Sequence, residues 1–257
     1  MFQGNDYKLW IINLQNQVCY INSQGEEVTV SEEGFASDIA ISEGGVVWAL
    51  TSTPDPDGGG AEIAWLDANQ NWQTIRSKDP GAFDITGGRE DQCIYRTSTG
   101  VLYNMDTQGN GKIIYDSNPV LSMDYGGGMV WGVLSDKPGE IPQLHYADLS
   151  GSLQWNEFKG IQSPTSLSVN YKGDCVGIQD FDPYVYQLPD STHIFGSGVN
   201  DEAMQISFKN NPYLMVAEPT TNGNQIYQWD DIKGGIWVKT GLKGNRILST
   251  YYNGGKS

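Results

Sequence analysis

The sequence predicts an all-β fold, a six-bladed β-propeller of four-stranded antiparallel blades, arranged as three two-blade repeats. Its ring is closed by the C-terminal strand joining the N-terminal blade. Three observations carry this prediction. First, an apolar-x-apolar anchor, usually followed by Gly or Asn, recurs six times. The copies are Ile39–Ile41, Phe83–Ile85, Leu121–Met123, Leu167–Val169, Met204–Ile206 and Leu248–Thr250. Second, each unit of about 40–45 residues holds three further short segments with period-two alternation, the pattern of a four-stranded blade. Third, a longer period lies above the first. Trp72, Trp155 and Trp237 are 83 and 82 residues apart, Trp48 and Trp131 are 83 apart, and Cys93 and Cys175 are 82 apart.

Taken in order, the second strands are Lys8–Ile12, Val46–Leu50, Cys93–Thr97, Met129–Val133, Asp174–Ile178 and Tyr213–Ala217. The third strands are Val18–Asn22, Ile63–Asp67, Leu102–Asp106, Leu144–Asp148, Val185–Leu188 and Ile226–Asp230. Fourth strands are weaker, clearest at Trp72–Ile75, Trp155–Phe158 and Trp237–Thr240. The chain is thus one domain, 1–257, with blades at 246–257 plus 1–34, 35–79, 80–118, 119–162, 163–200 and 201–245. The first blade is split. Arg246–Ser257 reads as the opening strand of a unit whose remainder starts at Tyr7. The joint between strands two and three is long in alternate blades, at Thr51–Glu62, Leu134–Gln143 and Glu218–Gln225.

Composition bounds the function. With 31 acidic against 15 basic residues the net charge is −16, which repels nucleic-acid backbones and anionic lipid. No apolar run is long enough to span a membrane, and the first residues lack the basic and apolar regions of a signal peptide. The expected location is cytoplasmic, or outside the cell by release without a classical signal peptide. Cys19, Cys93 and Cys175 each sit in an apolar strand-like run, as reduced buried thiols would.

The chemistry-bearing residues divide between structure and function. Asn22, Asp67, Asp106, Asp148 and Asp230 end third strands and read as turn-forming side chains that accept backbone N–H bonds. Trp10, Trp48 and Trp131 share a second-strand position, with Tyr95 and Met215 assigned to it in other blades, and read as interblade core. His145 and His193 have no metal partner at strand spacing, and Asp55-Pro56-Asp57-Gly58 lacks the remaining ligands of a calcium loop. Nucleophile elbows, phosphate loops and metal-binding Cys pairs are absent from the sequence. No metal or cofactor is expected. The fourth-strand set Trp72, Trp155 and Trp237 occurs only in long-loop blades, on a partly exposed strand. There a Trp either caps the blade edge or stacks on a sugar ring.

Val130-Trp131-Gly132-Val133 with Trp155-Asn156-Glu157-Phe158-Lys159-Gly160, and more loosely Val47-Trp48-Ala49-Leu50 with Trp72-Gln73-Thr74-Ile75, resemble the tectonin repeat. The resemblance covers about a fifth of the chain. It implies a tectonin- or tachylectin-like propeller lectin that binds glycans at sites around the ring. Fucose specificity is not implied, because Arg96 is the only Arg in a second strand and faces Asn104-Met105-Asp106 rather than a Glu.

The expected function is therefore multivalent carbohydrate binding through repeated shallow sites on one face, without catalysis. The candidate residues are Trp72, Trp155, Trp237, Asp55, Asp136, Glu218 and Asn222. Aromatic faces would stack on C–H surfaces while amides and carboxylates bind hydroxyls. The expected partners are glycans or glycoconjugates. A non-catalytic protein-interaction scaffold is the alternative, and a propeller lyase or hydrolase a third reading.

Overall fold

A computed structural model describes residues 9–56, 59–75, 81–135, 141–149, 153–162, 164–179, 182–187, 191–194, 203–208, 212–216, 224–230 and 236–249. Among them there are strands and turns and no helix, hence none long and apolar enough to cross a membrane.

The strands follow the predicted units. They are β1 (Leu9–Ile12), β2 (Val18–Ile21) and β3 (Glu27–Thr29); β4 (Ala36–Ile41), β5 (Val47–Pro54), β6 (Ala61–Leu66) and β7 (Trp72–Ile75); β8 (Ala82–Gly87), β9 (Cys93–Thr97), β10 (Leu102–Met105) and β11 (Gly111–Tyr115). The second half continues with β12 (Val120–Gly126), β13 (Met129–Leu134), β14 (Gln143–Asp148) and β15 (Asn156–Gln162); β16 (Ser166–Val169), β17 (Cys175–Gln179), β18 (Asp182–Gln187) and β19 (Ser191–Ile194); and β20 (Ala203–Phe208), β21 (Pro212–Val216), β22 (Asn224–Asp230), β23 (Ile236–Gly244) and β24 (Arg246–Ser249).

Every group pairs as an antiparallel meander, and β24 adds to β1 to give the order β24-β1-β2-β3. Leu9 pairs with Ser249, Trp10 with Leu248, Ile11 with Ile247 and Ile12 with Arg246. The expected use of the C-terminal strand by the N-terminal sheet is thus present residue by residue. A single bridge, Ala61 to Ala82, joins β4–β7 and β8–β11 into one eight-stranded sheet. The first strands neighbour one another in sequence: β4 contacts β8, β8 contacts β12, β12 contacts β16, β16 contacts β20, β20 contacts β24, and β24 contacts β4.

The apolar residues lie between sheets. Trp10, Trp48 and Trp131 are fully buried at register-equivalent positions, each opposite an aromatic of the third strand, namely Tyr20, Trp65 and Tyr146. Each packs toward the next sheet. Trp10 clusters with Ile39 and Ile41, Trp48 with Ile85 and Cys93, and Trp131 with Val169 and Cys175. Tyr95 and Met215 do not share this position. The register places Ile94 and Tyr213 there, because Ile94 faces Asn104 and Tyr213 faces Gln228, both two residues before the third-strand Asp.

The anchors also shift. Ile39, Ile85, Met123, Leu167, Ile206 and Ile247 are the true equivalents, since they pair with Ala49, Tyr95, Gly132, Gly177, Leu214 and Ile11. The cause is a β-bulge near the start of four first strands, between Ala36 and Asp38, Ala82 and Asp84, Val120 and Ser122, and Ala203 and Gln205. The one unpaired extra residue is Phe83, Leu121 or Met204, an apolar residue that mimics the anchor two places on, whereas in β4 it is Ser37 and Ile39 keeps its place. A Cβ on Gly87 would strike the Ile41 carbonyl.

Two of the turn carboxylates, Asp67 and Asp106, do what the sequence implied. Asp67 Oδ1 accepts from the N–H groups of Asn69 and Asn71 at 2.8 and 2.9 Å, and Asp106 Oδ1 from Gln108 and Asn110 at 3.0 and 2.9 Å. At Asp106 the Asn110 side-chain amide, donating to Oδ2 at 2.9 Å, contributes most, and together with the backbone bonds it favours the ionised form, as the backbone bonds do at Asp67, so both carboxyls lie below the usual range. The three cysteines are buried and none is in a disulfide, and burial pushes the Cys19 thiol up to about 12.

Candidate functional site

Two kinds of concavity emerge, one repeated at the outer rim and one at the axis. The rim grooves form where a fourth strand meets the fourth strand of the preceding sheet. The groove at Trp72 has a volume of about 720 Å³ and is lined by Val30, Ser31, Glu32, Phe35, Gln70, Asn71 and Thr74. The one at Trp155 has about 700 Å³ and is lined by Tyr115, Asp116, Asn118, Leu153, Gln154 and Glu157, among others. Both therefore combine a Trp at the start of a fourth strand, a second aromatic ring (Phe35 just before β4, Tyr115 at the end of β11), and amides with carboxylates.

Packing fixes the two indoles differently. Trp72 lies 4.8 Å from the Phe35 ring and its Nε1–H donates to the Val30 carbonyl at 2.9 Å, fastening one sheet edge to the next. Trp155 meets Tyr115 edge-on at 5.8 Å and lies over Gly132, where a Cβ would come within 3.0 Å of the indole. Both rings are half-buried, so each caps an edge and still presents surface to its groove. Trp237 is also half-buried, opposite Trp229 in β22.

The long loops do not join these tryptophans. Trp72 pairs with Leu66, whereas the loop carrying Asp55 leaves the sheet at Pro54 and Ala61. Five residues of strand separate the two ends, about 16 Å. Asp55 is 4 % exposed, and its N–H donates to the Gly60 carbonyl at 2.8 Å. The same register holds at Trp155 and Trp237, which open their fourth strands. A single crown of loops and tryptophans on one face is therefore replaced by separate features at opposite blade ends. Asp136, Glu218 and Asn222 lie outside the described residues. His145 is buried, its Nδ1 3.1 Å from the Gln143 carbonyl, and no group of His, Cys, Asp or Glu among the described residues is arranged to hold a metal.

The second concavity was not anticipated. A pocket of about 310 Å³ lies on the axis, lined by residues of the first strands. One register position, two residues after the bulged start of β4, β8, β12 and β20 and at the first residue of β16 and β24, recurs around it as Asp38, Asp84, Ser122, Ser166, Gln205 and Arg246, and all six line the pocket. Arg96 enters from β9, where it pairs with Asp84. A bulge re-aims the side chain that follows it, which is how an edge of the sheet turns these groups inward.

Most of these groups also bind a neighbouring first strand. Arg246 Nη2 lies 3.4 Å from Asp38 Oδ2. Tyr125 N–H donates to Thr86 Oγ1 at 3.1 Å, and the Thr86 hydroxyl donates to Asp124. Val169 N–H donates to Asp124 Oδ2 at 2.6 Å, Ile206 N–H to Ser166 Oγ at 3.3 Å, and Ile247 N–H to Gln205 Oε1 at 3.1 Å. Among the charged groups Asp84 has the weakest support, with Arg96 Nε 3.7 Å away. Burial first, and then the negative charge of Asp38, push its carboxyl up to about 7, against the pull of Arg96. Burial likewise raises Asp38, opposed by Arg246.

The sheet geometry has clear counterparts among solved structures. Virginiamycin B lyase from Staphylococcus aureus superposes with a TM-score of 0.60 at 14 % identity, over 93 % of this chain and 82 % of that one. A chain of a nidogen/laminin complex gives 0.64 at 10 % identity, over 94 % and 97 %. This chain is a β-propeller. A gluconolactonase from Xanthomonas campestris gives 0.59 at 10 % identity, over 84 % and 86 %. No protein-family model matches the sequence, and no curated protein does. Among these similar folds, the lyase and the lactonase are enzymes. This corrects the expectation of a chain without catalysis, since that rested on the scarcity of His and on the lectin resemblance, and the propeller scaffold itself carries catalysis in both neighbours. No tectonin-type lectin is among the similar structures named here.

Proposed function

We propose that this chain is a six-bladed propeller, with the blade boundaries set by the repeat, and that it binds carbohydrate through rim grooves recurring in alternate blades. The observation that carries this reading is the pair of grooves at Trp72 and Trp155. Their volumes agree closely, about 720 and 700 Å³, and their polar and aromatic inventories match although their sequences do not. Support for the ring comes from the cyclic adjacency of β4, β8, β12, β16, β20 and β24, and from the pairing of β24 with β1. Trp237 marks a third groove by its spacing. The indole face and the Phe35 or Tyr115 ring supply apolar contact for sugar C–H groups, and Gln70, Asn71, Asn118 and Gln154 supply hydrogen bonds to hydroxyls. Each groove is shallow, so affinity for a clustered glycan comes from simultaneous occupancy on one rigid ring.

A glycan array probed with the intact protein tests this reading. Thr74→Ala and Gln154→Ala, which alter groove walls without touching the core, should each weaken binding to the hit. Unchanged binding in both would reject the grooves as the site.

A further inference from the structure

The axial pocket differs from the rim grooves in one respect that bears on its use. Its six register-equivalent positions carry Arg246, Asp38, Asp84, Ser122, Ser166 and Gln205, so the backbone repeats while the chemistry does not. A purely structural ring would tolerate one repeated side chain, whereas this one is charged on one arc and neutral on the other. The bulges at Asp38, Asp84, Ser122 and Gln205 aim these groups at a single space of about 310 Å³, the size that holds one small molecule.

The satisfaction of the charges identifies which of them is available. Asp124 is bonded by Thr86 and by the Val169 amide, and Asp38 by the Ile39 amide at 2.9 Å and by Arg246. Arg96 is not so well served. Its Nε is buried without a hydrogen bond, 3.7 Å from Asp84, and its Nη1 reaches only the Thr97 carbonyl at 3.4 Å. A guanidinium in this state offers its planar fork to a carboxylate. On the same lining, Ser122 presents its hydroxyl, Ser166 and Gln205 keep a hydroxyl and an amide N–H₂ to donate while their oxygens accept from the Ile206 and Ile247 amides, and Phe83 and Leu121 contribute exposed apolar surface.

We propose that the axial pocket is a binding site for one small hydroxylated carboxylate, about the size of a single sugar acid, whose carboxylate is held by Arg96 and whose hydroxyls meet the Ser122–Ser166–Gln205 arc. A monoanion suits this space better than a cation, because Asp38 and Asp124 already have partners and Asp84 holds its proton up to about pH 7. Once Asp84 ionises it competes for Arg96, and the affinity falls. The other charged groups facing this pair are Asp38 on β4, Asp124 on β12 and Arg246 on β24.

Calorimetric titration of the full chain with D-glucuronate, D-glucose and D-glucosamine tests the proposal, since the three probes share a ring and differ in charge. Glucuronate should bind at one site per chain, with affinity falling as pH rises from 6 to 8. Arg96→Gln should weaken it by at least about tenfold. Asp84→Asn should retain binding and abolish its pH dependence, which keeps the proposal testable where Arg96→Gln fails to fold. Gln154→Ala should leave it unchanged, separating this site from the rim grooves. Preference for glucosamine, equal binding of all three probes, no glucuronate binding at millimolar concentration, or a glucuronate affinity indifferent to Asp84→Asn and pH would each overturn it.

Discussion

Trp48 and Trp131 offer a paired test of the interblade core. They occupy the same register position and both are fully buried, yet their indole N–H groups differ. Trp131 Nε1 donates to the Gly173 carbonyl at 2.8 Å, across to the β16–β17 turn of the next sheet. Trp48 Nε1 is buried with no partner among the described residues. Replacing each by Phe removes the same volume from similar surroundings, a loss of about 1–2 kcal/mol on the scale of large-to-small core changes. At Trp131 the change also strands a buried carbonyl, costing about 1–3 kcal/mol more. At Trp48 it removes an unsatisfied donor, which offsets the volume loss by a comparable amount. Trp131→Phe should therefore be destabilised by about 2–5 kcal/mol and Trp48→Phe by about 0–1 kcal/mol. Equilibrium urea unfolding followed by far-ultraviolet circular dichroism measures both. The comparison is robust because the shared packing loss cancels. Trp48→Phe losing as much stability as Trp131→Phe would refute the reasoning.

Deleting residues 247–257 removes β24 from β1, exposes that strand's edge and takes Ile247 from a cluster with Leu9, Ile11, Cys19 and Ile226. Thermal unfolding should shift to clearly lower temperature with aggregation, and an unchanged midpoint would contradict the pairing's importance. Asp84 predicts a pH trend of definite sign. Its folded pKa of about 7 lies above the ordinary 3.8, so the folded state holds a proton that the unfolded chain has released. Its contribution to stability is full below pH 3.8 and is lost as pH rises to about 7. Asp84→Asn should flatten stability against pH across that window, and an equally steep profile in the variant would rule Asp84 out as the cause.

Much of the fold was legible because strands write themselves as period-two alternation and turns as Asp, Asn and Gly. The unit length, the second- and third-strand positions and the pairing of the C-terminal strand with the N-terminal sheet all follow from that. The anchor alignment slipped by two residues at Phe83, Leu121 and Met204, each the apolar extra residue of a bulge, and by one at Leu248. That slip also hid the axial ring. Only after the bulge is placed do Asp38, Asp84, Ser122, Ser166, Gln205 and Arg246 fall at one position, and their differing chemistry gives no repeat to search for. The rim tryptophans were visible through their 82–83 residue spacing. Their separation from the long loops follows from the same strands, since each Trp starts its fourth strand while the long loop joins strands two and three at the other end. The scarcity of His likewise misjudged the scope of the scaffold, which in similar folds carries a lyase and a lactonase.

The central claim is that equivalent rim grooves bind sugar, and stoichiometry tests it most directly. Calorimetric titration of the intact chain with a monovalent form of an array hit should give about three equivalent sites, one per two-blade unit, with Trp155→Ala losing one of them. A single site, or a site count untouched by Trp155→Ala in a protein that remains folded, would contradict the account.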